Sequence, residues 1–183
     1  RLLTSLGHYI YTPREEALYI NLYVGNQVEI PVGEKTLRLR ISGDYPWREQ
    51  VKIVIESPST VNHTLALRLP DWCEGPHITL NGAPVTQDIR QGYLHIHHLW
   101  QEGDTLMLTL PMPVRRVYGN PLVRHQAGQV ALQRGPLVYC LEQADNGEAL
   151  HNLLLPRDAR FTVFEGKGLF ARNMLIQAPG YRK

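Results

Sequence analysis

With 183 residues, 43% of them hydrophobic and 20% charged, the chain has the make-up of a folded globular protein and not of a disordered tail. The formal net charge is +2 and no run of five basic residues occurs, so the composition supports neither a nucleic-acid surface nor an anionic-membrane surface. Thirteen prolines and fifteen glycines imply many turns and favour an all-β fold over a helical one.

The first segment is patterned differently from the rest. Leu2, Leu3, Leu6 and Ile10 recur at helical spacing, and Thr12-Pro13 closes the run, because the residue before proline avoids the helical region. Residues 1–12 are therefore expected to form about three turns of helix. Without a second helix to pack against, such a helix is marginal in water. It is read as the last helix of an upstream helical domain, whose loss would leave Leu2, Leu6 and Ile10 exposed and prone to self-association. The start of the chain has neither an initiator Met nor a signal-peptide layout.

From Ala17 the pattern switches to short strands of period two. Leu18, Ile20 and Leu22 alternate with Tyr19, Asn21 and Tyr23, and after a turn at Gly25-Asn26 the stretch from Gln27 to Pro31 is again extended. Leu37, Leu39 and Ile41 share one face of the next strand; Val51, Ile53 and Ile55 do so in the following one, and Leu65, Leu67 and Leu69 in the one after. His77 to Leu80 leads into Asn81-Gly82, a strong hairpin signal. Tyr93 to His98 and Asp104 to Leu110 complete a set of strands that predicts an antiparallel, jelly-roll-like β-sandwich over residues 13–118. Pro111 to Pro113 reads as an exit.

Residues 119–183 predict a second, incomplete sandwich. Its strands are Gln129 to Gln133 and Leu137 to Glu142 around Arg134-Gly135-Pro136, with weaker candidates at Phe161 to Phe164 and Met174 to Ile176. Ala144 to Arg160 reads as loop, with Leu153 to Leu155 as a buried edge.

Chemistry is sparse. A glycosidase needs two carboxyl groups facing each other across a sugar, but Asp44, Glu49, Asp71, Glu74, Asp88, Glu102 and Asp104 lie where polar turn chemistry explains them. His95 and His97 share a strand face with Tyr93, beside His98, yet no third metal ligand is identifiable nearby; with Leu94 and Ile96 turned to the core, these histidines should face solvent or a neighbouring domain. Cys73 and Cys140 have no metal-binding spacing. They are read as reduced, in keeping with a cytoplasmic protein, and Cys140 as a small buried side chain. Gly166-Lys167-Gly168 is a turn and not a phosphate loop, and Asn62-His63-Thr64 would matter only in a secreted protein. Tyr45, Trp47, Trp72 and Trp100 are candidates for stacking on a sugar, set against the commoner fate of tryptophan in a core. No run of about eighteen apolar residues is present to cross a membrane.

Several stretches, in order, resemble the C-terminal half of the β-L-arabinofuranosidases of glycoside hydrolase family 127. They are Arg1 to Tyr11, Asn21-Leu22-Tyr23-Val24, Tyr45-Pro46-Trp47, Arg68-Leu69-Pro70-Asp71-Trp72-Cys73, Asn81-Gly82, Gly103-Asp104, Leu110-Pro111-Met112 and Val130 to Tyr139. The resemblance covers residues 1 to about 145.

It implies a catalytic (α/α)6 barrel followed by β-sandwich domains. The nucleophilic cysteine of a Cys-Cys-Pro-Pro-Asn stretch, the acid/base glutamate and the zinc ligands would all lie upstream of Arg1. No catalytic, cofactor-binding or metal-binding residue is therefore assigned to this chain, and zinc is expected in the upstream barrel. The resemblance implies a non-catalytic sandwich that packs against the barrel of a retaining glycosidase acting on arabinose-containing oligosaccharides. Two alternatives stand beside it. One is a carbohydrate-binding module using exposed Tyr45, Trp47 or Trp100, and the other is a domain that builds a homodimer.

Overall fold

Strand formation follows the period-two patterning closely. The computed structural model describes residues 5–86 and 88–183, which divide between Pro111 and Met112 into two units. In the first, a single helical turn, α1 (Gly7–Ile10), leads directly into β1 (Tyr11–Pro13) and β2 (Ala17–Ile20). Then come β3 (Asn26–Val32), β4 (Lys35–Ser42), β5 (Gln50–Ile55) and β6 (Val61–Arg68). After these follow β7 (His77–Leu80), β8 (Ala83–Pro84), β9 (Asp88–Arg90), β10 (Tyr93–Trp100) and β11 (Thr105–Thr109).

These strands form two sheets, one ordered β1-β2-β6-β10-β9 and the other β3-β4-β5-β11-β7-β8. The expected sandwich is present. Every ladder is antiparallel except β2 against β6, which run parallel because the chain makes β3, β4 and β5 of the second sheet between them. The core is built from the alternating residues: Leu18, Ile20, Leu37, Leu39, Ile53, Ile55, Leu65, Leu67, Leu94, Leu106 and Leu108 are all essentially inaccessible. Each such side chain contributes about 1.5–3 kcal/mol relative to exposure. Trp100 is fully buried among them, and its indole N–H donates to the His63 carbonyl at 2.9 Å.

Two differences from expectation concern the beginning of this unit. The helix is shorter than three turns over the described residues, because Tyr11 takes up an extended backbone and pairs with Ile20 across the β1–β2 ladder. Leu2 and Leu3 lie outside the described residues. Ile10 and Tyr11 are buried against the sandwich itself, with the Tyr11 hydroxyl donating to Asn26 Oδ1 at 2.7 Å. Ile10 is thus not part of an exposed sticky face. In addition, the alternation breaks after Ile20, and Tyr23 is buried in place of Leu22.

Tight turns set the strand registers. Asn81 (φ +50°) and Gly82 (φ +84°) give the two-residue hairpin between β7 and β8 that the sequence predicts. Gln91 (φ +49°) and Gly92 (φ +78°) make a second hairpin of this kind, joining β9 to β10. That one is not legible in advance, because glutamine seldom adopts positive φ.

In the second unit, β12 (Val114–Tyr118), β13 (Val130–Arg134) and β14 (Leu137–Tyr139) form a three-stranded sheet in chain order. Since β12 pairs with β13, residues 114–118 belong here and not to the end of the first unit at residue 118. The long segment after β14 holds a helical turn, α2 (Gln143–Asn146), and β15 (Leu153–Leu154). It is followed by β16 (Thr162–Glu165), β17 (Met174–Gln177) and β18 (Tyr181–Arg182), where β15 pairs with β18 and β16 with β17. Arginine organises this segment. The Arg116 guanidinium donates to the carbonyls of Pro156 (2.8 Å), Ala159 (3.1 Å) and Arg157, and lies 5.0 Å from the Phe161 ring centre. Arg182 likewise donates to the carbonyls of Asn146 and Glu148.

Candidate functional site

The outward face of the sheet β1-β2-β6-β10-β9 carries a depression of about 760 Å³. Strand alternation decides what lines it. While Leu18, Leu65, Leu67, Leu94 and Ile96 point to the core, Tyr19 of β2, Thr64 of β6 and Tyr93, His95 and His97 of β10 are left on the other face. Asp88 and Arg90 of β9 extend the wall, and Arg14, Glu15 and Glu16, between β1 and β2, close one end.

The middle of this face is assembled around Ala66. Its neighbours across the two ladders are Tyr19 and His95. Because alanine fills so little space, the two rings meet edge to face, with centres 5.7 Å apart, and Ala66 is wholly covered. Tyr19 also meets Tyr93 edge to face at 5.1 Å. Such pairs hold rings in one orientation and contribute about 0.5–1.5 kcal/mol beyond area burial. Tyr93 is further tied down by donating to Asn21 Oδ1 at 2.8 Å, and Asn21 in turn donates to Thr12 Oγ1 at 3.0 Å. His97 Nδ1 and Thr64 Oγ1 are 3.1 Å apart.

Asp88 and Arg90, two apart on a strand, face the same way and form a two-pronged pair, Nε to Oδ1 at 2.9 Å and Nη2 to Oδ2 at 2.7 Å. Both oxygens of Asp88 are thereby engaged. The arrangement is one of positioned rings and polar forks, suited to holding a small polar ligand.

The sequence candidates fall elsewhere or take other roles. Asp88, read as a turn residue, is in β9 and in this wall. His95 and His97 do line the face, as their alternation predicts, whereas His98 turns inward, 5.0 Å from the Trp100 ring and 3.5 Å from Asp104 Oδ2. Among the described residues no group of three or more His, Cys, Asp or Glu is placed so that it could hold a metal ion. Trp100 is core and cannot stack on a ligand. Tyr45 follows a different course from an open platform: its ring meets Tyr23 edge to face at 5.8 Å, and burial pushes its phenol up. Trp47 and Trp72 are half-buried and do not line the depression. Neither Cys73 nor Cys140 is in a disulfide; Cys140 is exposed and not buried, because β14 ends at Tyr139 on the edge of its sheet.

Tyr19, Tyr93, Asp88 and Arg90 were missed as a group. The alternation that marks Leu18 and Leu94 as core also marks their neighbours as outward, but only the topology reveals that β2 and β10 flank the same strand.

Comparison with known proteins bears on both units. Residues 17–112 match the family model described as the GH127 middle domain of β-L-arabinofuranosidase, and residues 114–177 match that of the glycoside hydrolase family 127 C-terminal domain. A non-reducing end β-L-arabinofuranosidase of Bifidobacterium longum is 35% identical over 163 residues, which is 85% of this chain and 24% of that protein. The crystal structure of a GH127 β-L-arabinofuranosidase from Geobacillus stearothermophilus T6 is 36% identical, with a TM-score of 0.86 over 100% of this chain and 32% of that one. A solved GH127 β-arabinofuranosidase, 27% identical, also has a TM-score of 0.86, over 98% of this chain and 34% of its own. The chain thus spans about a quarter of the curated relative and about a third of each solved one.

Proposed function

This chain belongs to glycoside hydrolase family 127, and from that premise we propose that it is the non-catalytic β-portion of a larger β-L-arabinofuranosidase-like enzyme. Its role is to pack against the catalytic barrel and support it. The observation that carries this reading is one of extent: residues 17–112 and 114–177 match the family's middle and C-terminal domains in order, yet the match covers only 24% of the curated relative. The intact enzyme would release terminal L-arabinofuranose from oligosaccharides with retention, and the zinc and the nucleophilic cysteine expected of it belong to the barrel. A cytoplasmic location is part of the same proposal, and two cysteines outside any disulfide fit a reducing compartment. No helix among the described residues is long and apolar enough to cross a membrane.

Two experiments test this. Reading the codons upstream of Arg1 should reveal a Cys-Cys pair in frame, and its absence would sink the assignment of the barrel. Incubating the chain alone with an aryl β-L-arabinofuranoside should release no phenol above the buffer rate. Release abolished by a single substitution in this chain would place chemistry here instead.

A second reading, homodimer formation, is favoured by the large apolar side chains that the second unit leaves exposed: Leu169 is 99%, Leu122 88% and Val138 71% accessible. Light scattering on the chain over a concentration series would separate a monomer from a dimer.

A further inference from the structure

We propose that the depression over Ala66 is a saccharide-binding site, centred on Tyr19, Tyr93 and His95 and flanked by the Asp88–Arg90 pair, that takes an uncharged arabinose-containing mono- or disaccharide. The inference rests on family membership and not on the supporting role proposed above, so either can fail without the other.

Three observations carry it. The first is size: a depression of about 760 Å³ falls within the roughly 300–1,000 Å³ of small-ligand sites. The second is the chemistry of the wall. Sugars are recognised by rings against their C–H faces and by planar polar groups that engage adjacent hydroxyls together, and both are present on rigid strands. Tyr19 is held by two edge-to-face contacts and Tyr93 by its hydrogen bond to Asn21, so little side-chain freedom is lost on binding. An arginine carries five N–H donors and each carboxylate oxygen two lone pairs. After the two bonds between them, Arg90 and Asp88 retain donors and acceptors side by side, and the Arg90 side chain is 71% exposed.

The third observation is charge. Arg14 and Arg90 face Glu15, Glu16 and Asp88 around the same depression. With two cationic groups against three anionic ones, an anion gains no net attraction, whereas a neutral polyhydroxyl ligand meets both donors and acceptors.

The test is a titration of the ¹⁵N-labelled chain with methyl β-L-arabinofuranoside, followed by amide shifts, with inorganic phosphate as the charged control. The expected result is saturable shifts at Tyr19, Tyr93 and His95 with a Kd in the millimolar range, about as weak as an open site allows. Tyr19→Ala should weaken binding by about tenfold, the effect of losing one ring contact. Arg90→Gln, on an exposed side chain where the fold is not at stake, should weaken it as well, with the rest of the amide spectrum unchanged. Absence of saturation, saturation insensitive to both substitutions, or phosphate binding in place of the glycoside would each overturn the proposal.

Discussion

Asn81 and Asp104, 23 residues apart, are joined side chain to side chain: Asn81 Nδ2 donates to Asp104 Oδ1 at 2.8 Å. The other Asp104 oxygen accepts the Gln101 N–H at 2.9 Å, and Asn81 Oδ1 accepts the Thr105 N–H at 2.8 Å. One carboxylate therefore locks the β7–β8 hairpin to the turn that enters β11. Asn81-Gly82 and Gly103-Asp104, two separate pieces of the family resemblance, are two halves of a single device.

Asp104→Ala should accordingly cost about 2–3 kcal/mol, since a nearly buried charged acceptor is removed and two donors lose their partner. Urea unfolding would measure it. A loss under about 0.5 kcal/mol would mean that water replaces the carboxylate without penalty.

His63 gives the fold a pH dependence. It lies on the core side of β6, and burial holds its imidazole below the ordinary histidine range, with neighbouring His97 acting in the same direction. A histidine of lowered folded pKa binds more protons when unfolded, so it contributes stability at pH above the ordinary value near 6.5. That contribution is lost progressively as pH falls through this value toward the lowered one. Unfolding free energies between pH 8 and 5 should therefore decline, and the slope should lessen in His63→Gln. An unchanged slope would assign the effect to other groups.

Cys140 and Cys73 should differ in reactivity. Cys140 is exposed beyond the end of β14, and Cys73 is half-buried in the turn after Pro70, its N–H bonded to the Pro70 carbonyl at 2.9 Å. Ellman's reagent should find one fast thiol and one slow thiol in the folded chain, and Cys140→Ser should abolish the fast phase. Two fast thiols would show the Pro70–Cys73 turn to be open in solution.

What was legible in the sequence was what depends on neighbours along the chain. Leu37, Leu39 and Ile41 announce β4, Val51, Ile53 and Ile55 announce β5, and Asn81-Gly82 announces its hairpin, each from residues one or two apart. What depends on distant partners was not legible. The course of residues 144–160 is fixed by Arg116, some forty residues earlier in the chain, and by Arg182, neither of which leaves a periodic mark. The candidate site has the same property. Tyr19 and His95 become neighbours only because β6 is inserted between β2 and β10 and presents an alanine at their level. The expectation of buried Cys140 failed for a related reason: a run such as Leu137 to Leu141 looks internal until the sheet is seen to end at β14.

Trp100 separates the two roles that tryptophan could have had. It is fully buried, its ring 5.0 Å from that of His98, and its indole N–H is satisfied by the His63 carbonyl. Trp100→Phe removes that bond and leaves part of the ring volume empty, and should cost about 2–4 kcal/mol. Fluorescence reports the same change: the buried indole should emit to the blue of half-buried Trp47 and Trp72, so the folded variant should lose its blue component. Glycoside affinity should be unaltered where the variant is folded, because no part of Trp100 reaches the outward face. A drop in affinity at constant fold would return Trp100 to the ligand and remove it from the core.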